Sequence, residues 1–506
     1  MKTFFFKVYS KAEAAAEKCC AHPSWVLLFF MLFISLFYTV QCSLLQNVLG
    51  LDVLETISWG AQKALGHAKH PPLSGWLGYA VSKLGGHRDW IMYLAAQSCM
   101  AISVAYVYRC GKLFFDKYTA GTAALLLYFL FYYNPSETRF CTYPLETALV
   151  PAASFYFFQI LRSNKIQAHL LLTLLCAAGI MNKYSFFLVM AAWSIIFFRN
   201  KENLRLLKSI KPYLSLVLLT ILLLPHLNWL YNNDFICFKH VGNRLADTFS
   251  WYVPFVTAGT AFYPYVMLGI LLLLLLLPDF KTRPVKTPDK DTGINALLIG
   301  GLPSAILILL ACCGNDIIMM WFSTMASFSG IALIAFLPKT IDKKFFSRTA
   351  LLLFLFCIGM MTGTTIDLLT SSRVRIHSKP QDYTVPATEF YQRHAAGAIP
   401  VVAGPRFEVT LLENYLPYRP SACELDDPVS FDRCKEKILR SGALLIGKEE
   451  KFARFLKDLN APAPKFQKVT FQYKAPWGRK RRRSYQLAYL PPQQEKKTAD
   501  VPAKTK

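Results

Sequence analysis

Charge is scarce in this 506-residue chain, and one sign of it especially so. Charged residues make up 17%, against about 25% in ordinary soluble proteins, and 31 acidic residues face 56 basic ones. With 54% apolar residues and a positive mean hydropathy, the chain can be neither intrinsically disordered, nor fibrous, nor one compact soluble domain. Metal-ligand spacing is missing as well. The 13 cysteines include no C-x-x-C pair, which excludes zinc ribbons and thioredoxin-like redox motifs.

What the chain has instead is apolar length. Crossing a hydrocarbon slab takes about 20 apolar residues per helix, and about eleven stretches approach that length. They are Ser24–Gln41, Trp90–Tyr108, Thr119–Tyr133, Tyr143–Leu161, Ala168–Met181, Ser185–Phe198, Tyr213–Tyr231, Phe262–Pro278, Ile294–Cys312, Ile317–Pro338 and Thr349–Leu369. Aromatic residues reach 14%, as expected where rings sit at headgroup depth. The first stretch follows a basic leader, like a signal peptide. It is longer than a usual h-region and has no small-x-small cleavage site after it, so it reads as a retained anchor.

The excess positive charge then orients the chain rather than pointing to nucleic acid. With the N-terminus cytoplasmic, 22 loop cations face inward, against 8 facing outward: Lys63, Lys69, Lys83, Arg88, Arg139, Lys183, Lys239 and Arg244. The positive-inside bias supports this orientation, and eleven crossings leave the C-terminus outside.

Beyond Ser371 the long apolar runs stop. Ile399–Ala403, Ala443–Gly447, Lys468–Tyr473 and Tyr485–Leu490 read as strands, and Asp432–Arg440 and Glu449–Leu459 as helices. The pattern is that of a small α/β domain. The expected organisation is a cytoplasmic segment 1–23, a transmembrane domain 24–370 carrying an outer loop 42–89, an extracytoplasmic domain 371–492 and a disordered tail 493–506. Within the outer domain, Cys423 and Cys434 either close a short disulfide or remain two thiols. The run GRKRRR (Gly478–Arg483) reads as a hairpin tip, either a solvated turn or a patch attracted to anionic lipid or acceptor phosphates.

The loop 42–89 is too long for a simple connector. Asp52 and Glu55 lie three apart, so on a helix they share one face, which serves either as a paired-carboxylate site or as a solvated surface. KHPPLSGWL (Lys69–Leu77) follows, where two prolines stop regular helix ahead of an amphipathic stretch through Leu84. Lys69 and His70 fall at phosphate depth and bind either headgroups or a substrate phosphate. Glu146, near the start of an apolar span, is costly there unless paired or beside a polar cavity.

This order of an acidic residue, Trp59, Gly60, then His70-Pro-Pro-Leu and Trp76-Leu77 resembles the first outer loop of the polyprenyl-phosphate-sugar-dependent glycosyltransferases: the GT-C, protein O-mannosyltransferase-like family that includes the aminoarabinose transferases. NKYS (Asn182–Ser185) resembles that family's Lys-Tyr element, and PHLNWLYNNDF (Pro225–Phe235) its P-H-x-x-W-L segment. AGPRFEVTLLENYLPYRP (Ala403–Pro420), GALLIG (Gly442–Gly447) and YLPP (Tyr489–Pro492) are similar to its extracytoplasmic C-terminal domain. The likeness runs from about residue 50 to 492.

The resemblance implies a mainly α, polytopic GT-C-like membrane fold with about 11 or more transmembrane helices. It implies an inverting transfer of a sugar from a polyprenyl-phosphate donor to an extracytoplasmic acceptor: lipid A, a lipid-linked saccharide or another envelope glycan ahead of protein. Such a reaction needs a base for the acceptor hydroxyl and cations on the leaving phosphate. Glu55 matches the second acid of the family's pair. Leu54 stands where the first belongs and Asp52 lies two residues earlier, so the base is Asp52 or Glu55, with Glu146 as a further candidate. Lys69, His70, Lys183 and Arg244 are the expected donor-phosphate contacts, with His240 weaker. Glu55 and His226 could hold a divalent Zn, Mn or Mg ion, although Lys69 occupies a place that is acidic in some relatives. The rival class is a transporter or lipid flippase, and it fits less well because ionisable residues gather at boundaries rather than midplane.

Overall fold

The structure, a computed structural model, describes residues 16–134, 138–245, 251–276, 288–310 and 319–493. The first fifteen residues, the inward cations Lys281, Arg283 and Lys286, and the tail from Gln494 lie outside the described residues. The chain divides into two compact units, 1–44 with 63–367, and 45–62 with 368–506. The loop 42–89 is thus shared between them.

Among the described residues each of the eleven apolar stretches contains helix, but the helices differ in length. Among the described residues, six helices are long and apolar enough to cross a membrane: Pro23–Leu45, Trp90–Gly111, Lys211–Asn232, Val253–Leu276, Lys290–Leu310 and Lys343–Thr370. Ile166–Asn182, Phe186–Arg199 and Met320–Phe336 are apolar but shorter. Thr119–Tyr133 is not one regular helix. Asp116 caps Lys117–Leu125 by accepting from the Tyr118 and Thr119 amides, the helix tightens to a 3₁₀ turn over Leu126–Phe129, and residues 119–130 are all buried.

The core of the first unit is the helix Thr142–Ser163, buried along most of its length and packed against Trp90–Gly111 and Ile166–Asn182. Pro151 sits in its interior, where the missing N–H frees a carbonyl that another element can use. Lys211–Asn232 presents the opposite extreme. Leu214, Leu216, Val217, Ile221, Leu224 and Leu227 are exposed along it, an apolar surface that hydrocarbon must cover in place of protein.

The second unit contains a five-stranded sheet in the order β2 (Ser421–Glu424), β1 (Val401–Gly404), β3 (Ala443–Gly447), β5 (Arg481–Leu490) and β4 (Gln467–Tyr473). β1 is parallel to β2 and β3, whereas β5 runs antiparallel to β3 and β4. The helices Arg406–Tyr415 and Pro428–Ser441 connect the parallel strands, as a parallel pairing requires. The four expected strands are present. β2 was not expected, because Ser-Ala-Cys-Glu has no β-branched or aromatic residue. The short first-loop helix Leu51–Ala61 belongs to this unit and packs on Arg406–Tyr415.

Candidate functional site

In the second unit, the helix Leu51–Ala61 carries both first-loop carboxylates. Asp52, in the first turn, is half-buried, whereas Glu55 is buried. Glu55 is already engaged: the Arg406 Nε lies 2.9 Å from its Oε1 and 3.1 Å from Glu424 Oε2, and Glu424 is buried too. Arg406 begins the helix that follows β1, and Glu424 ends β2, so the sheet fixes both. Burial works against the guanidinium charge, but Glu55 and Glu424 outweigh it and push the Arg406 pKa up. Two turns further along the same helix, Glu413 bonds Ser58 and the Ala422 backbone. Its Oε2 is buried with no hydrogen-bond partner among the described residues. Burial raises the Glu413 carboxyl from 4.5 to about 7, although Ser58, Arg433 and Arg419 oppose the rise.

In the first unit, the loop ahead of Pro71 and Pro72 is a tight turn in which the His67 amide donates to the His70 carbonyl at 3.0 Å. Cys237 donates to the His67 carbonyl, also at 3.0 Å. Lys69 and His70 occupy the turn, both half-buried, and Leu73–Leu84 forms the expected helix immediately after the prolines. Burial, then Lys183, Lys69, His240 and His67, hold the His70 pKa well below 6.5. The ring is therefore neutral at pH 7 within a basic neighbourhood. Lys183 and Lys69, two more of the expected phosphate contacts, thus both act on the His70 ring. Arg244 lies in the last turn of the helix Ile236–Leu245.

Lys183 caps the end of Ile166–Asn182 with extended backbone and is buried. Its ammonium lies 3.5 Å from Glu146 Oε2 and 4.4 Å from the centre of the Tyr143 ring, and the Ser185 hydroxyl donates to Glu146 Oε1. The buried Glu146 is therefore paired, as its position in an apolar helix demands. One residue on, the Tyr184 hydroxyl bonds His226 Nε2 at 2.8 Å, and His226 Nδ1 donates to the Leu65 carbonyl at 2.7 Å. Because Nδ1 carries the proton, Nε2 accepts from the tyrosine. The Trp229 ring stacks on His226 and lies against Gly66, where a side chain larger than hydrogen would collide with it.

These contacts bear on the metal reading. Both ring nitrogens of His226 are taken, and Glu55 is tied to Arg406. Among the described residues no three His, Cys, Asp or Glu side chains gather as metal ligands would. Residues that the sequence did not single out are Arg406, Glu424, Glu413 and Ser185, whereas Tyr184 stood in the Lys-Tyr element. Arg406 lay inside the AGPRFEV segment, but only the fold reveals its partner.

Comparison with known proteins agrees with the resemblance read from the first loop. The sequence model of the dolichyl-phosphate-mannose-protein mannosyltransferase family matches residues 69–229. No curated protein matches the chain. Among solved structures, ArnT from Cupriavidus metallidurans bound to undecaprenyl phosphate is similar over 92% of this chain and 98% of its own, with a TM-score of 0.60 at 14% identity. The apo state of ArnT gives 0.59 at 13% over the same coverage. The chain thus has an ArnT-like membrane fold, and its segment from Lys69 to Trp229 is similar in sequence to the mannosyltransferases.

Proposed function

We propose that the protein is an integral-membrane glycosyltransferase that moves a sugar from a polyprenyl-phosphate donor to an extracytoplasmic acceptor, an envelope glycolipid or glycan before a protein. The observation that carries this reading is that the turn bearing Lys69 and His70 and the buried, Glu146-paired Lys183 lie in one unit, inside the segment similar to the mannosyltransferases. A leaving polyprenyl phosphate gains negative charge as the glycosidic bond breaks, and cations beside a neutral imidazole meet that charge. The isoprenoid tail stays in lipid, which the exposed apolar helices already require as their solvent.

Of the two first-loop acids, Asp52 is the better base. It is half-buried and so reachable by an acceptor hydroxyl, whereas Glu55 is buried against Arg406 and serves to hold its helix on the C-terminal domain. In this reading the enzyme is a multi-pass protein of the cell inner membrane, with the N-terminus cytoplasmic and the C-terminal domain outside.

The test uses purified full-length protein in lipid with labelled polyprenyl-phospho-sugars and candidate acceptors, following product by mass. Asp52→Asn should lower turnover by roughly 10²–10⁴, while Lys183→Ala should chiefly weaken use of donor. Unchanged turnover in both Asp52→Asn and Glu55→Gln would remove the first-loop assignment. Absence of any sugar transfer, with vectorial movement of lipid instead, would favour the flippase class.

A further inference from the structure

The β4–β5 hairpin is the part of the second unit that the proposed chemistry does not use. Its tip carries Trp477, 69% exposed, among five exposed cations, Lys474, Arg479, Lys480, Arg481 and Arg482. None of the five forms an ion pair among the described residues. The next cation behaves differently: Arg483 turns onto Glu408, with its Nη2 3.2 Å from the carboxylate. The strand therefore neutralises one cation structurally and leaves the cluster at the tip without counter-charge.

The tip is also anchored. The Trp477 amide donates to the Leu369 carbonyl at 2.9 Å, and the Gly478 amide closes a tight turn on Ala475 at 3.0 Å. The Tyr473 hydroxyl donates to the Ser372 carbonyl at 3.1 Å. Leu369 lies in the last turn of Lys343–Thr370, a helix long and apolar enough to cross a membrane, and polar Ser371, Ser372 and Arg373 follow at once. The hairpin is thus pinned where an apolar helix gives way to polar chain, the depth at which a bilayer passes from acyl chains to headgroups.

We propose that the hairpin tip, residues 474–482, is a binding surface for anionic phospholipid headgroups, with Trp477 seated at the interface and the cations on lipid phosphates. Tryptophan is enriched at this depth because its ring is apolar and its N–H polar. Clustered Lys and Arg near a bilayer are drawn to anionic lipid over about one Debye length. The binding holds one edge of the sheet at the membrane and does not depend on which sugar is transferred, or on whether any is.

Hydrogen exchange of the full-length protein in lipid nanodiscs tests this directly. Amides 474–482 should exchange several-fold more slowly in discs containing about one-third phosphatidylglycerol than in pure phosphatidylcholine. The protection should vanish at about 0.5 M NaCl and on replacing all five cations by Gln, and a variant with Arg and Lys exchanged should keep it. Amides of β1 serve as the folding control and should not change. Equal exchange in the two kinds of disc overturns the proposal even if the Gln variant fails to fold. Protection in neutral discs on adding inorganic phosphate alone would also overturn it, since the site would then be one for free anions.

Discussion

Arg406 serves two carboxylates, and this sharing decides what its loss would do. A buried ion pair broken from one side leaves the other charge uncompensated, at a cost of about 3 kcal/mol. Here two charges would be stranded, Glu55 and Glu424, with some relief because Arg406 is partly exposed. Arg406→Met should therefore lower the thermal midpoint of the full-length protein sharply, and the paired change Arg406→Met with Glu55→Gln should recover part of it. Glu413 gives a pH signature of opposite sense to the usual carboxylate. Its folded pKa, about 7, lies above the ordinary 4.5, so the stability that its protonated form allows is full below about pH 4.5 and is lost as pH rises through 7. The wild type should lose stability over that window relative to Glu413→Gln, and parallel curves would refute the assignment. Under the proposed function, His70 should report donor binding. Its pKa is held below 6.5, and an arriving phosphate would draw it back up, so binding takes up a proton and donor affinity should improve as pH falls toward 6. His70→Gln should flatten that slope. The sequence supplied the acids and bases but not their partners. Glu55 was legible from its spacing to Trp59, while the choice between reachable base and buried anchor lay with an arginine in the C-terminal domain that only folding brings near.

At the scale of elements, periodicity located the apolar helices well because each must bury or expose a continuous apolar face, and that constraint is local. Periodicity is less informative where protein, not lipid, surrounds the segment. Residues 119–124 are small and 125–130 large and mostly apolar, which reads as a crossing, yet all twelve are buried and the segment tightens to a 3₁₀ turn. Close approach explains their composition: Gly330, on the helix Ser329–Phe336, lies directly against the Ala123 carbonyl. Small residues at helix contacts let backbones meet in this way. Gly330→Ala has no room for its methyl group and should destabilise by about 1–3 kcal/mol, seen as a lower midpoint in detergent. Gly359, with open space around it, should accept Ala without such a loss. In the second unit the parallel strand β2 escaped notice for the converse reason, because its four residues are specified by pairing with β1 rather than by their own preference.

For the molecule as a whole, charge rather than hydropathy sets direction. In the proposed orientation, drawn from the asymmetry of loop cations, the N-terminus is cytoplasmic and the C-terminal domain faces an oxidising compartment. Cys423 on β2 and Cys434 on the helix Pro428–Ser441 are both buried in one apolar cluster. Their thiols lie within hydrogen-bonding reach of each other, and Cys434 also meets the Ala422 carbonyl. Outside the cytoplasm the two thiols should yield two protons and two electrons to the disulfide of an oxidant protein, leaving a bonded pair here and a dithiol on that oxidant. The short loop so closed should add about 2–3 kcal/mol by restricting the unfolded chain. Protein taken from cells under acid quench, denatured and alkylated before and after reduction, should show two cysteines that label only after reduction, and Cys423→Ala should abolish that difference. Full labelling of both without reductant would show that the pair remains two thiols.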